Sequence, residues 1–327
     1  MKTYDIYGLG SALMDTLIHV DDKDLEDLKL KKGTMHLVED TNINFISTVM
    51  RKRKRAEQAG GSVSNTVAGA ANLGAKTFFN ARIGSDKLGK DYETITKSQG
   101  ITCDLRKDDT STGHLISLIT KDGERTFTTY LGAAVNYNKY DLNKKVLRRS
   151  KILHMEGYML EHDAQKKALL KAMKIAKRNG VIVSIDLSDP SLIERNLEDF
   201  RKIVKKYVDI LFLNEKEAEV FTGQNDPKRA LLVASTYVKL AVVKTGPEGS
   251  MMKIRNTILN FKPVKAKKVI DTTGAGDMFA AGILYGISQG LSLEESGKIA
   301  SFSATKVIEQ IGARIEYDLQ KYLKELY

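Results

Sequence analysis

Asp271-Thr272-Thr273-Gly274-Ala275-Gly276-Asp277 places two glycines and a carboxylate where an apolar strand is expected to give way to an apolar helix. Val269-Ile270 reads as the end of that strand, and Met278-Phe279-Ala280-Ala281-Gly282-Ile283-Leu284 is apolar enough for a buried helix. Gly274, Ala275 and Gly276 then occupy the first helical turn. Amide N–H groups there lack intrahelical acceptors, and the helix dipole adds positive charge, so they can hold an anion that develops during a reaction. Asp277 stands beside this anion hole as a candidate general base, an arrangement suited to phosphoryl transfer. A carboxylate at a helix start is also favoured by the dipole alone.

A second constellation lies near the amino end, in Gly60-Gly61-Ser62-Val63-Ser64-Asn65. Paired glycines let the backbone approach a sugar closely, and the Asn65 amide can both donate and accept. The plainer alternative is a glycine turn before a packed helix, which suits Ala68, Gly69, Ala70 and Ala71. Gly8-x-Gly10 begins like a dinucleotide fingerprint, but Leu13 stands where the third small residue belongs. No Gly-x-x-x-x-Gly-Lys-Ser/Thr run occurs, so a P-loop is not the phosphate cradle.

The elements that must position these residues alternate. Tyr4 to Leu13 begins as a strand, followed by Thr77–Ile83, Lys151–Met155, Val181–Leu187, Ile210–Leu213 and Leu240–Lys244. Helical patterns run over Val63–Leu73, His162–Arg178, Glu215–Phe221, Lys228–Tyr237 and Ser296–Glu309. Such alternation predicts a largely parallel sheet covered by helices on both faces, with ligands at the carboxyl ends of the strands. Residues about 15–40 and about 104–132 break the pattern with short β-like runs, and Asp122-Gly123 is a hairpin signal.

The heptad and the segment Gly60 to Ala75 resemble the two signatures of the ribokinase superfamily, the PfkB-type carbohydrate and nucleoside kinases, and the match spans the chain. The resemblance implies a three-layer α/β/α sandwich with a largely parallel central sheet. It also implies a small β-sheet lid, formed by about 15–40 and 104–132, within a single domain over 1–327. In such enzymes the aspartate, here Asp277, deprotonates the accepting hydroxyl while the amides of Gly274, Ala275 and Gly276 hold the transferred phosphate. Asp15, in Gly8-Leu9-Gly10-Ser11-Ala12-Leu13-Met14-Asp15, resembles the residue that accepts hydrogen bonds from two adjacent sugar hydroxyls, with Ser11, Gly60, Gly61, Ser62 and Asn65 around the acceptor. Asn214 and Glu217 resemble the pair that organises Mg²⁺ and its waters near the ATP phosphates, although Asn-x-x-Glu is also an ordinary capping pattern. Thr245, Gly246 and Gly249 resemble the loop against the nucleotide, or form a simple turn. Asp271 and Thr273 resemble positions near a K⁺ site.

The acceptor is read as a nucleoside phosphorylated on its primary hydroxyl, because the interval from Asp15 to Gly60 and the form Gly60-Gly61-Ser62 resemble the adenosine-kinase branch. Ser11 departs from the asparagine usual there. Leu13, Leu37, Tyr158 and Met159 are candidates for an apolar wall against a purine, or for packing. A free sugar such as ribose, fructose or 2-keto-3-deoxygluconate is the alternative acceptor, and a non-catalytic nucleotide- or sugar-binding regulator is the alternative of another class.

Composition bounds the rest. In 327 residues, 42% are hydrophobic and only four are proline, with no linker or repeat to divide the chain. Cys103 is the only cysteine, which excludes an internal disulfide and a cysteine metal cluster. A cytoplasmic location is expected, since the segment from Met1 lacks a signal-peptide core and no apolar run reaches bilayer length. The formal charge of +11 and Arg51-Lys52-Arg53-Lys54-Arg55 raise nucleic-acid binding as a third possibility. That run instead follows the apolar side of a helix and is expected in its last turns, facing solvent, so neither nucleic acid nor membrane is expected as a partner. Gly282-x-x-x-Gly286 is expected to serve tight helix packing in a soluble core rather than membrane dimerisation. A lid of this kind is compatible with a monomer or a homodimer.

Overall fold

Several apolar runs in this chain end in one polar residue, and that pattern places much of the chemistry. The computed structural model describes residues 2–323 and 326; Met1, Lys324, Glu325 and Tyr327 lie outside the described residues. In chain order the strands are β1 (Tyr4–Leu9), β2 (Leu13–His19), β3 (Met35–Leu37), β4 (Arg55–Gly60), β5 (Thr77–Gly84), β6 (Thr102–Asp108) and β7 (Gly113–Ile119). They continue with β8 (Arg125–Tyr130), β9 (Ser150–Glu156), β10 (Ile182–Asp186), β11 (Ile210–Asn214), β12 (Leu240–Lys244), β13 (Ser250–Ile254) and β14 (Thr257–Phe261).

One sheet has the order β14-β13-β12-β11-β10-β9-β1-β5-β6. From β12 to β6 every pairing is parallel, while β13 and β14 return antiparallel. Ile210-Leu211-Phe212-Leu213 and Leu240-Ala241-Val242-Val243 are buried throughout because helices cover both faces of the sheet. Leu211 and Val243 pack into the core that contains Leu169 and Phe221, whereas Phe212 and Val242 pack into the one that contains Phe279 and Ile283. The chain adds β5 and β6 on one side of β1 and β9 to β12 on the other. The strand order therefore reverses between β1 and β9, and a crevice opens beyond their carboxyl ends.

The helices keep their expected places with shifted ends. Ser62–Asn72, Asp163–Arg178 and Glu215–Thr222 are close to expectation. Leu293–Ile308 starts a turn earlier than Ser296, because Ser292 and Glu295 form a capping box. Pro227–Ala234 opens at the cap Asp226 and stops short of Tyr237. The helices Ala275–Gln289 and Leu293–Ile308 are in close contact, since a Cβ on Gly282 would lie 2.4 Å from the Ala300 Cα and one on Gly286 2.2 Å from the Ser296 Oγ. Among the described residues no helix is long and apolar enough to cross a membrane.

A second sheet, in the order β3-β8-β7-β2-β4, stands apart over its own core of Ile18, Leu25, Ile43, Ile46, Ile116 and Leu118. The Asp122-Gly123 turn joins β7 and β8 as an antiparallel hairpin. Several expectations need correcting. Residues 104–108 belong to β6, at the edge of the large sheet, so the second segment of the small sheet starts at Gly113, not near residue 104. The first strand ends at Leu9, and Leu13 already begins β2. Arg55 to Gly60 is a strand paired with β2, not a helix end and turn; Arg-Ala-Glu-Gln-Ala-Gly carries no apolar alternation that would reveal it. Arg51 and Lys52 lie in a short 3₁₀ turn beyond the helix Asp40–Val49, and Arg53 pairs with Asp21 and Asp24. Val269-Ile270 is not a strand: both side chains are largely exposed, and the Ile270 amide donates to the Ile308 carbonyl at a helix end. Two apolar residues behind a lysine-rich approach have no neighbouring strand to pair with.

Candidate active site

Four adjacent parallel strands end in a polar residue: Glu156 on β9, Asp186 on β10, Asn214 on β11 and Lys244 on β12. Glu156 lies opposite Asp186 and Asn214 opposite Lys244, so all four face the mouth of the crevice. Only Asn214 was expected from the sequence. Of the missed three, Lys244 carried a readable signal, a lone polar residue closing an otherwise apolar strand, whereas β9 and β10 hold further polar residues such as His154 and Ser184 that mask it.

Asp277 sits in the first turn of the helix Ala275–Gln289, whose cap Gly274 adopts φ 78°. A Cβ on Gly274 would come within 2.7 Å of the Ala313 Cα, so both the backbone angle and the contact require glycine. The Ser62 hydroxyl donates to Asp277 Oδ1 at 2.7 Å, and Asn65 Nδ2 donates to Oδ2 at 3.0 Å. Burial pushes the Asp277 carboxyl up to about 7; these two hydrogen bonds and Lys244 oppose the rise, and Asp186 reinforces it. A carboxyl with that value is about half ionised at neutrality, and its ionised form is basic enough to accept a proton.

Lys244 is held by Asp186 at 2.5 Å, and its Nζ lies 3.1 Å from where a Gly276 Cβ would project. This cation therefore stands over the same first turn whose amides point into the crevice. Asp186 and Glu217 raise the Lys244 pKa against the opposing effect of burial. The ammonium consequently stays protonated, adding charge where an anion would collect.

Asp15, on β2, faces the crevice from the small sheet. Its Oδ1 is buried and makes no hydrogen bond to protein, and burial pushes the carboxyl up to about 7. An orphaned acceptor of this kind suits hydroxyl donors on a ligand. A Cβ on Gly60 would fall 2.2 Å from Asp15 Oδ2, so glycine makes the carboxylate's room. Gly61 caps the helix Ser62–Asn72 with φ 96°. Glu156 accepts the Ser11 amide at 2.8 Å and the Val63 amide at 3.1 Å, tying the loop after β1 to the start of that helix. Tyr158 is 41% exposed, but Met159 is fully buried in the main core and Leu37 is 68% exposed, so the four residues Leu13, Leu37, Tyr158 and Met159 do not form one wall.

Asn214 and Glu217 make a full capping box, with reciprocal amide contacts of 2.9 Å and an Asn214 Nδ2 to Glu217 Oε1 bond of 2.6 Å. Burial and then Asp186 push the Glu217 carboxyl up to about 7. Oxygen donors beside under-neutralised carboxylates fit a hydrated Mg²⁺, whereas no group of three metal-ligating side chains converges among the described residues. Thr245 is buried, its amide bonded to the Gly249 carbonyl, and Gly246 and Gly249 both take positive φ in the loop after β12. Asp271 is fully engaged. Its Oδ1 accepts the Thr273 amide, its Oδ2 accepts the Gly312 amide, and Arg125 of β8 pairs with Oδ2 at 2.6 Å. Arg125 also donates to the Thr273 hydroxyl, which latches the small sheet onto the heptad.

The pfkB family carbohydrate kinase model matches residues 33–319, most of the chain and both of its glycine-rich segments. The chain belongs to that family. The kinase is 31% identical over 271 residues to the 5-dehydro-2-deoxygluconokinase of Lacticaseibacillus casei, covering 79% of this chain and 82% of the relative. Its fold matches the structure of a "probable sugar kinase protein" from Rhizobium etli with a TM-score of 0.91, at 32% identity over 99% of each chain. The adenosine kinase of Sinorhizobium meliloti matches with a TM-score of 0.90, again at 32% identity over 99% of each chain. The protein is therefore a phosphotransferase of the carbohydrate and nucleoside kinase type, with the ribokinase-like fold expected from its sequence.

Proposed function

We propose that the kinase transfers the γ-phosphate of ATP to the primary hydroxyl of a nucleoside. The observation that carries the catalytic part is the Asp277 carboxylate, held by Ser62 and Asn65 within the first turn of a helix whose glycine-rich start faces the crevice. Asp277 takes the hydroxyl proton, the oxygen attacks the γ-phosphorus, and the bond to the β–γ bridging oxygen breaks to release ADP. The Gly274, Ala275 and Gly276 turn and Lys244 receive the charge on the transferring oxygens. Thr245, Gly246 and Gly249 line the nucleotide side. Mg²⁺, reached from Asn214 and Glu217 through water, would neutralise the phosphates.

Asp15 Oδ1, buried and unpartnered, is the acceptor's anchor for adjacent hydroxyls, flanked by Ser11, Gly60, Gly61, Ser62 and Asn65. The small sheet acts as a lid that excludes water during transfer, all within one domain. Arg125 occupies the Asp271 carboxylate, so any K⁺ near Asp271 and Thr273 would rely on backbone carbonyls.

The full-length likeness to an adenosine kinase supports a nucleoside acceptor. A second reading, a sugar acid or other free sugar, is favoured by the likeness to a 5-dehydro-2-deoxygluconokinase. ADP release with Mg-ATP, measured against adenosine, inosine, guanosine, cytidine, ribose, fructose and 2-keto-3-deoxygluconate, separates them. Turnover confined to nucleosides supports the first reading, and turnover confined to free sugars replaces it with the second.

A further inference from the structure

Arg314 is a buried cation outside both signatures in sequence, in the irregular segment after the helix Leu293–Ile308, with only 4% of its surface exposed. Each of its donor nitrogens faces a different acceptor. Nε donates to Asn65 Oδ1 at 3.2 Å, one terminal nitrogen to Ser64 Oγ at 2.6 Å, and the other to Gln99 Oε1 at 2.5 Å. Ser64 Oγ is bonded in turn to the Tyr92 hydroxyl, which donates to the Gly60 carbonyl at the end of β4. One guanidinium thus ties together the carboxyl-terminal segment, the helix Ser62–Asn72, the end of the helix Lys87–Ser98 and the glycine pair of the acceptor loop.

An amide side chain has two faces, and either could point at Asp277. Because Arg314 can only donate, Asn65 must present Oδ1 to it, and Nδ2 is left to donate to Asp277 Oδ2. We propose that Arg314 is a positioning residue for the acceptor half of the site: it sets the orientation of the Asn65 amide and thereby the aim of Asp277, and its charge offsets Asp15 and Asp277 together. The inference rests on Asp277 as the base. Arg314 is influenced by Tyr92, Asp15 and Asp277; Asp277 is also influenced by Asp186 and Lys244, and Asp15 by Arg125.

The test compares Arg314→Met, Arg314→Lys and Asp277→Asn, using kcat, KM for ATP and for the acceptor, the pH profile of kcat, and ATP binding to count folded sites. A cavity of about 330 Å³ adjoins Arg314, lined by Ala68, Gly69, Asn72 and Gln99, which leaves room for a smaller side chain to settle. Arg314→Met is expected to lower kcat per folded site by about 10- to 100-fold, since small misplacements of reacting groups are costly. KM for ATP should stay within about twofold, and the acid limb of the profile should move to higher pH by roughly half a unit or more. Arg314→Lys keeps a charge without the three-way fork, so it should hold the acid limb near its original position while kcat stays low. Unchanged kcat and acid limb per folded site in both Arg314 variants, with Asp277→Asn inactive, would overturn the role of Arg314 alone. Turnover surviving in Asp277→Asn would instead remove the base on which the inference rests.

Discussion

Replacing Asp277 with asparagine should abolish turnover and at the same time flatten the pH dependence of stability. The folded state holds this carboxyl at about 7 against an ordinary value of 3.8. For an acid, a folded value above the unfolded one means that stability is fully present below about 4, falls as pH rises, and levels off above about 7. The full penalty at high pH is ~4 kcal/mol, at ~1.4 kcal/mol per tenfold change in proton affinity. Asp277 keeps some exposure toward the crevice, and screening by solvent there lowers the penalty to ~2–4 kcal/mol. Asparagine carries no ionisation penalty. Its Oδ1 can accept from Asn65 Nδ2 while its Nδ2 donates to the Ser62 hydroxyl, which accepts as well as donates, so both contacts are kept at every pH. Any fixed difference in these hydrogen bonds shifts the variant's whole curve, whereas the ionisation changes its slope. Part of the penalty is already present at pH 5, so from pH 5 to pH 8 the variant should gain ~1–2.5 kcal/mol relative to the original, or ~2–4 °C in relative Tm for a chain of this size. Asp15 and Glu217 titrate in both proteins, so their direct contributions cancel. Thermal melts at half-unit steps read the slope, and ADP release should fall by ~10²- to 10⁴-fold in parallel. A Tm difference that stays constant from pH 5 to pH 8 would refute the buried-carboxylate account, and retention of near-normal kcat would refute the base.

Asp15→Asn should raise the acceptor KM by ~10- to 100-fold with KM for ATP unchanged, as expected for losing hydrogen bonds to a charged group. The original enzyme should also bind acceptor more weakly below about pH 7, a trend absent from the variant; equal profiles would place Asp15 outside the acceptor site. Arg125→Gln leaves Asp271 without its cationic partner, and a loss of ~3 kcal/mol should appear as a Tm lowered by several degrees; an unchanged Tm would mean that the latch contributes nothing to stability. Gly282→Val would drive side-chain atoms into the Ala300 backbone, costing at least ~1–3 kcal/mol in thermal melts, and an unaffected melt would show that the two helices can part freely.

The heptad was legible because its parts are contiguous: a first turn and a carboxylate follow from seven neighbouring residues, although Gly274, expected within that turn, is instead its left-handed cap. The alternation of strands and helices was legible for a similar reason, since apolar runs such as Ile210 to Leu213 carry their own period and stop at their own polar residue. The strand β4 was not, because an edge strand needs no apolar alternation when its partner β2 supplies the pairing. Val269-Ile270 misled in the opposite direction, offering β-branched residues with nothing to pair against. The Asp122-Gly123 turn announced a hairpin, yet nothing near it announced that Arg125 would dock on Asp271 across the crevice.

By itself, the sequence determined the repeating strand-helix plan, the conformation of Gly274, and the caps at Asn214, Ser292 and Asp226, because these depend on neighbours within a few residues. Only the tertiary structure decided that Glu156, Asp186, Asn214 and Lys244 would meet at one mouth, that Asp15 would arrive from a second sheet, and that Arg314 would reach Asn65 from 249 residues away. Strand order and burial set those meetings. A carboxyl's pKa and an amide's orientation follow from the charges and donors that packing brings beside it, and those partners are distant in the chain.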